Sequence, residues 1–293
     1  MNELSGAGAI LVAYDDSPHS VAALEWAAAT AALEGRPVRA VSVTDARGSA
    51  SRDTDDDMHS RVEAVLAAAG VDGKFEVLAG GVESVLLDQA RHAHVMVAGT
   101  RGRGRAADTL LASVSQHLAR HTPCPLIVAR PPANPAAARI VAGVDGSPQS
   151  IAALEFACHR ASFTKEVVVA LHAWKPGRVE LGYDGQLPAA IGQRSGAAEA
   201  LLAECIAQVR DEYPDVAIEP DAVPLAPGLA LTEASAYASL VVSGSRGRGM
   251  VTGLLLGSVS QHLLTNAHCP VAVTRRQFHA SPRQRLLAAA STA

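Results

Sequence analysis

Aromatic side chains are scarce in this chain: four Phe, four Tyr and two Trp make up 3% of its 293 residues. So few rings leave no stacking platform of the kind that holds single-stranded nucleic acid. The core must be filled by Ala, Val and Leu instead. Basic charge is not in excess either. Against 29 Asp and Glu there are 25 Lys and Arg, a net charge of −4, whereas nucleic-acid binders carry a basic balance. No nucleic-acid partner is expected. Cysteine is limited to positions 124, 158, 205 and 269, with no CxxC pair. A chain of this length needs no disulfide staples, so a reducing, cytoplasmic compartment is expected. The opening MNELSGAGAILVAYDDSP has no basic stretch ahead of its short apolar run and does not read as a secretory leader. The uncharged stretch from Met250 to Thr274 contains Gln261, His262, Asn266, His268 and Pro270. That polarity argues against a membrane span, and no membrane partner is expected.

Apolar residues make up 48% of the chain and charged residues 18%, a balance that supports packed cores rather than disorder. The chain is also written twice. Ile10-Leu-Val-Ala-Tyr-Asp-Asp-Ser-Pro18 recurs as Ile140-Val-Ala-Gly-Val-Asp-Gly-Ser-Pro148, and Ala22-Ala-Leu-Glu-Trp26 as Ala152-Ala-Leu-Glu-Phe156. Ser113-Val-Ser-Gln-His-Leu118 returns unchanged as Ser258 to Leu263, and Cys124-Pro125 as Cys269-Pro270. The second copy carries extra residues between Trp174 and Val223, expected as a surface loop or an extended helix lead-in. Proline-rich Arg130-Pro-Pro-Ala-Asn-Pro cannot continue a strand or helix. The expected division is domain 1 over 1–131, a linker over 132–138, domain 2 over 139–276 and a tail over 277–293.

Each copy alternates short apolar runs with helical periodicity. In the first, Ile10–Tyr14 reads as a strand. Ser17 and Pro18 cap a helix carrying Val21, Leu24, Ala28 and Ala31. Val38–Val43 is a second strand. Asp53–Asp57 opens a second helix, with Val62, Val65 and Leu66 on its apolar face. Phe75–Leu78 is a third strand, and Val85, Leu86 and Ala90 mark a third helix. Val95–Ala98, Ser113–Arg120 and Leu126–Ala129 follow as strand, helix and strand. Continuous apolar strands between helices predict an α/β fold. The expectation is two tandem doubly wound, Rossmann-like domains, each a five-stranded, mostly parallel sheet with helices on both faces.

A Gly/Arg loop follows the fourth strand of each copy. In the second it reads Gly244-Ser-Arg-Gly247-Arg-Gly249-Met-Val-Thr-Gly-Leu-Leu-Leu-Gly257-Ser258. Gly244 ends a strand at the sheet edge where open α/β folds bind ligands. Gly247 and Gly249 permit positive φ and let backbone N–H groups face an anion. Gly257-Ser258 opens a helix, whose free N–H groups favour phosphate, and Arg246 and Arg248 add positive charge. The pattern reads as a polyphosphate cradle. It lacks GxxxxGK[ST], which excludes a Walker loop. Gly102-x-Gly104-x-x-Ala107 imitates a dinucleotide fingerprint, but after the fourth strand rather than the first. A tight strand-to-helix turn with solvated arginines is the plain alternative.

The chain resembles the tandem form of the universal stress protein family, whose nucleotide motif is G-x2-G-x9-G-[ST]. Gly244, Gly247, Gly257 and Ser258 satisfy it, while the first copy has Gly99, Gly102, Ala112 and Ser113. The Asp-x-Ser-Pro end of the first strand, His172-Ala173-Trp174 and the Cys-Pro pairs extend the likeness over nearly the whole chain. The resemblance implies an adenine-nucleotide site, usually for ATP, with or without Mg2+. It implies adenine contacts at Ala173 and Val43, and aspartates Asp145 and Asp15 beside the ribose or base. Gly143, and Ala13 in the first copy, would pass close to the ligand. Phosphates would fall on Gly244, Ser245, Arg246, Gly247, Arg248, Gly249 and Met250, with Gly257, Ser258, Val259 and Ser260. The first-copy counterparts are Gly99, Thr100, Arg101, Gly102, Arg103, Gly104 and Arg105, with Ser113 and Val114. The methyl groups of Ala13 and Ala112 make the second site the expected tighter one.

Other clusters read as structural. His117, His121 and Cys124 have metal-like spacing, but Asn266 replaces His121 in the second copy, and helix-end packing is expected. His92 and His94 read as exposed surface, Asp55-Asp56-Asp57 as a solvated helix start, and Cys158 and Cys205 as core. No residue is placed by sequence as a general base. The expected role is therefore an ATP-binding stress-response regulator that holds nucleotide. A slow ATPase, a scaffold with a decayed first site and a homodimer are left open.

Overall fold

The computed structural model describes residues 8–44, 52–102, 113–175, 189–247 and 256–275. Arg103, Gly104, Arg105, Ala112, Arg248, Gly249 and Met250, residues 176–188 and the tail lie outside the described residues. Two compact units divide the chain, the first built mainly on residues up to Pro131 and the second from Pro132 onward.

The first unit runs β1 (Ala9–Ala13), α1 (Pro18–Glu34), β2 (Val38–Thr44), α2 (Arg52–Ala69), β3 (Gly73–Ala79), α3 (Val82–Gln89), a 3-10 turn (Ala90–His92), β4 (Ala93–Gly99), α4 (Ser113–His121) and β5 (Leu126–Ala129). Its strands lie in the order β3-β2-β1-β4-β5, and these pairs are parallel. The second unit repeats this as β6 (Arg139–Gly143), α5 (Pro148–Thr164), β7 (Val167–Ala173), α6 (Ala189–Arg210), β8 (Ile218–Val223), α7 (Pro227–Ser235), β9 (Leu240–Gly244), α8 (Ser258–Asn266) and β10 (Val271–Thr274). Its order is β8-β7-β6-β9-β10, with parallel pairing of β6 to β7 and β9 and of β7 to β8.

Local chemistry explains where the helices start. Ser17 and Ser147 sit in extended conformation, and their hydroxyls accept from the N–H of Ser20 and Ser150 at 3.2 and 3.3 Å. Pro18 and Pro148 follow at the first helical position, where a missing N–H costs nothing. Helix α1 ends at Gly35, whose left-handed φ of 62° lets its N–H reach the Ala31 carbonyl. The buried face of α1 is mostly alanine (Ala23, Ala27, Ala28, Ala31), so the helix lies close to the sheet. Ile10, Leu11, Met96 and Ile127 fill the first core, and Ile140, Leu154, Leu202 and Leu263 the second.

The chain steps outward from β1 to β2 and β3, then returns past β1 to β4. Right-handed crossovers then put α1 and α2 on one face and α3 and α4 on the other, in keeping with the contacts of α1 with α2 and α3 with α4. The reversal makes the carboxyl ends of β1 and β4 a topological switch point, repeated at β6 and β9.

One expectation is revised. His94 is not surface: β4 begins at Ala93, and the His94 side chain keeps 7% of its exposure, with Nε2 3.6 Å from Glu34 Oε2. The extra residues of the second copy lie partly in helix, since α6 has 22 residues where α2 has 18. Cys158 and Cys205 are core, at 0% and 2% exposure. No described helix is long and apolar enough to cross a membrane.

Candidate functional site

The switch point of the second unit gathers Asp145 from the end of β6 and Gly244 to Gly247 from the end of β9. Asp145 is fixed locally. Its N–H donates to Ser150 Oγ at 3.2 Å, and its Oδ1 accepts from the Ser147 N–H at 2.9 Å. The other carboxylate oxygen faces Gly247: a Cβ built on Gly247 would collide with Asp145 Oδ2. The first unit repeats the arrangement. Asp15 N–H donates to Ser20 Oγ at 3.2 Å, Ser17 N–H donates to Asp15 Oδ1 at 3.1 Å, and a Cβ on Gly102 would lie 2.6 Å from Asp15 Oδ2.

The motif glycines are therefore needed for different reasons. Gly247 does not use the positive φ that glycine permits, and neither does Gly102; both are glycines because a carboxylate occupies the side-chain position. Gly244 and Gly99 pack on helix backbone. A Cβ would come within 2.8 Å of the Gln149 carbonyl, or 2.6 Å of the His19 oxygen. Gly257 has φ −62° and is the N-cap of α8, without a side-chain cap. Its N–H donates to the Ser245 carbonyl at 2.8 Å and closes the loop back onto β9.

Helix geometry leaves the N–H groups of Ser258, Val259 and Ser260 without intrahelical acceptors. The Ser260 hydroxyl is already engaged, donating to the Gly244 carbonyl at 2.6 Å, as Ser115 does to Gly99 at 2.8 Å. What α8 offers an anion is thus its backbone N–H groups and the exposed Ser258. Ser113 and Val114 open α4 at the matching place. Ser245 is buried and ties its N–H to the Thr274 carbonyl at 2.7 Å. Thr100 Oγ1 instead lies 3.1 Å from His19 Nδ1, and Arg101 and Gly102 are exposed.

Arg275, directly after β10, is a residue that motif reasoning passed over. It is half-buried, and its Nε has no hydrogen-bond partner. Burial and then the nearby Arg246 guanidinium both push its proton affinity down. Two like charges held together in a partly desolvated place favour an anionic ligand. The repeat held the clue, because Arg130 and Arg275 follow the last strands of the two copies.

The neighbouring strands bring up the remaining residues. Ala173 is buried at the end of β7, and Val43 is half-buried in β2. His172 donates from Nδ1 to the Val144 carbonyl at 2.7 Å, and its ring stacks on Trp174 with centroids 6.1 Å apart. Gly143 is paired with Leu171, and a Cβ on it would meet Leu231 at 2.8 Å, so its missing side chain makes room for α7. Ala13 pairs with Val41 at the equivalent place. The copies differ beside the aspartates. Gly146 has φ 77°, and in the first copy Asp16 takes φ 61°, with its Oδ1 held by Tyr14 OH at 2.9 Å and Arg61 at 2.5 Å.

Doubly wound units with a glycine-bearing loop, a carboxylate and an open helix N-terminus at the switch point define a tandem α/β protein of the Rossmann-like class. The model of the universal stress protein family matches residues 7–130 and again 137–275, and the chain belongs to that family. A universal stress protein of Mycobacterium tuberculosis is 35% identical over 291 residues, covering 92% of this chain and 97% of that relative. A second from the same organism is 33% identical over 299 residues, covering 91% and 94%. Among solved structures, a universal stress protein from Archaeoglobus fulgidus aligns with a TM-score of 0.64 at 20% identity, covering 92% of this chain and 98% of that one. A putative universal stress protein from Pseudomonas aeruginosa aligns at 0.62 and 17%, covering 98% and 100%. At those identities the structural likeness speaks for the fold alone.

Proposed function

We propose that this universal stress protein binds an adenine nucleotide, ATP with or without Mg2+, at the switch point of each unit and serves as a nucleotide-holding stress-response regulator. The observation that carries this reading is the second-unit constellation. The uncapped α8 N-terminus, the Arg246 and Arg275 guanidiniums and the Asp145 carboxylate come from four segments that end at one sheet edge. Backbone N–H groups and guanidiniums suit phosphate oxygens, and a carboxylate, which only accepts, suits ribose hydroxyls. Holding is favoured over hydrolysis because Asp145 is committed to its own turn through the Ser147 N–H. A base for water attack needs a free, correctly placed acceptor.

The test is to denature the purified full-length protein and identify released small molecules by mass spectrometry, with calorimetric titration of ATP into the stripped protein. Adenine nucleotide in the extract or a saturable ATP isotherm supports the reading. Absence of both overturns it. A ligand binding only the folded state at about 100 times its Kd stabilises it by about 2.7 kcal/mol, so thermal unfolding with and without ATP gives a third measure. Steady phosphate release from the parent above that of Gly247→Val would replace holding with turnover.

A further inference from the structure

Helix α4 of the first unit carries two histidines one turn apart, His117 and His121, whose ring centroids are 4.2 Å apart with planes tilted by 31°. One nitrogen of each ring is already committed. His121 Nδ1 lies 2.9 Å from the His117 carbonyl oxygen. A carbonyl only accepts, so that nitrogen carries the proton. His117 Nδ1 lies 3.3 Å from Glu83 Oε2 on α3, and the carboxylate likewise fixes the proton on Nδ1. Either ring, when it is neutral, then carries its lone pair on Nε2. Metal-binding histidines are oriented in this way, with Nδ1–H on a carboxylate or carbonyl and Nε2 turned to the ion. The i, i+4 spacing puts both rings on one helix face, as in helical two-histidine metal motifs. The site is open to solvent, with 37% of the His117 side chain and 41% of Glu83 exposed.

We propose that His117 and His121 bind a divalent transition-metal ion through their Nε2 atoms, with Glu83 as the positioning residue for His117 and water completing the shell. Imidazole pairs suit Zn2+, Ni2+ and Cu2+, whereas hard cations prefer oxygen. Cys124 is not a ligand: it is buried beyond the helix end, with Sγ 3.5 Å from Thr122 Oγ1. The site belongs to the first copy alone. In the second, Asn266 replaces His121 and its amide nitrogen lies 2.9 Å from the His262 carbonyl oxygen. Gly228 replaces Glu83, and a Cβ there would already crowd the His262 ring at 3.1 Å.

The test is calorimetric titration of ZnCl2 and NiCl2 into the full-length protein. One ion per chain is expected. His117→Gln and His121→Asn should each weaken binding by at least about tenfold, and Glu83→Gln by about tenfold, the usual effect of losing an outer-shell partner. His92→Gln, an exposed histidine outside the cluster, should bind like the parent. No uptake by the parent, unchanged uptake in His121→Asn, or an equal loss in His92→Gln overturns the proposal. Substoichiometric Cu2+ added to the unaltered protein gives a reading independent of variant folding. The ring signals of His117 and His121 should broaden first in its NMR spectrum, and broadening that begins elsewhere also overturns the site.

Discussion

The carboxylate of Asp145 occupies the space that a side chain on Gly247 would need, and Asp15 stands in the same relation to Gly102. Adding one methyl at Gly247 must push Asp145 out of position or move the loop. At Gly257 the same methyl meets Ser245 O at 3.3 Å, and φ is already negative. Gly247→Ala should therefore weaken ATP binding at the second site more than tenfold, about 1.4 kcal/mol. Gly257→Ala should stay within about threefold of the parent by the same measure. Calorimetry on the two variants decides between them, and equal losses would contradict this assignment of roles. The backbone ground for expecting Ala112 to impair the first site is absent at its counterpart.

Gly244 is a matter of stability. A Cβ there would sit 2.8 Å from three atoms of Gln149, two of them backbone in the first turn of α5. Helix backbone cannot yield as a side chain can. Overpacking of this kind costs about 1–3 kcal/mol. Urea unfolding of Gly244→Ala should show a loss in that range, even without nucleotide.

Arg275 and Arg246 repel each other in the free protein. Removing one relieves that repulsion and also removes charge that would face phosphate. Arg275→Gln should thus leave unfolding nearly unchanged while lowering affinity for ATP several-fold, with little effect on adenosine. The ATP difference between parent and variant should shrink as salt rises, because the charge pair is only half-buried. An equal loss for adenosine would show that Arg275 acts on the fold instead.

Much of this was legible in the sequence. Periodicity was sufficient for the alternation of strands and helices, and Ser17-Pro18 and Ser147-Pro148 marked helix starts because capping is local chemistry. The repeated Asp and Gly motifs were also visible. The reasons for the glycines were not, because a glycine needed for positive φ and one needed for a neighbouring carboxylate are the same letter. His94 misled for a similar reason. It follows exposed Arg91 and His92, and only the strand start at Ala93 turns it inward toward Glu34. Arg275 carries no motif, and its meaning depends on a strand order that places it beside Arg246.

Glu155 on α5 supplies a pH-dependent prediction. Burial, and secondarily the Glu212 carboxylate, raise it from an ordinary 4.5 to about 7. Fully buried Cys158 and nearly buried Tyr213 share its surroundings. The folded form therefore holds a proton that the unfolded chain releases at lower pH. Where the folded state binds more protons, stability falls as pH rises. Glu155 should cost nothing below about pH 4.5, progressively more up to about 7, and a constant amount above that. Glu155→Gln removes the charge but keeps the shape. Because Glu155 is partly exposed, solvent screening reduces the full linkage value, and a gain on the order of 1 kcal/mol at pH 8 is expected. Denaturant unfolding of parent and variant at pH 5 and pH 8 checks this: the curves should lie close together at pH 5 and separate at pH 8. A difference that does not change with pH would mean that Glu155 is charged in the folded protein throughout.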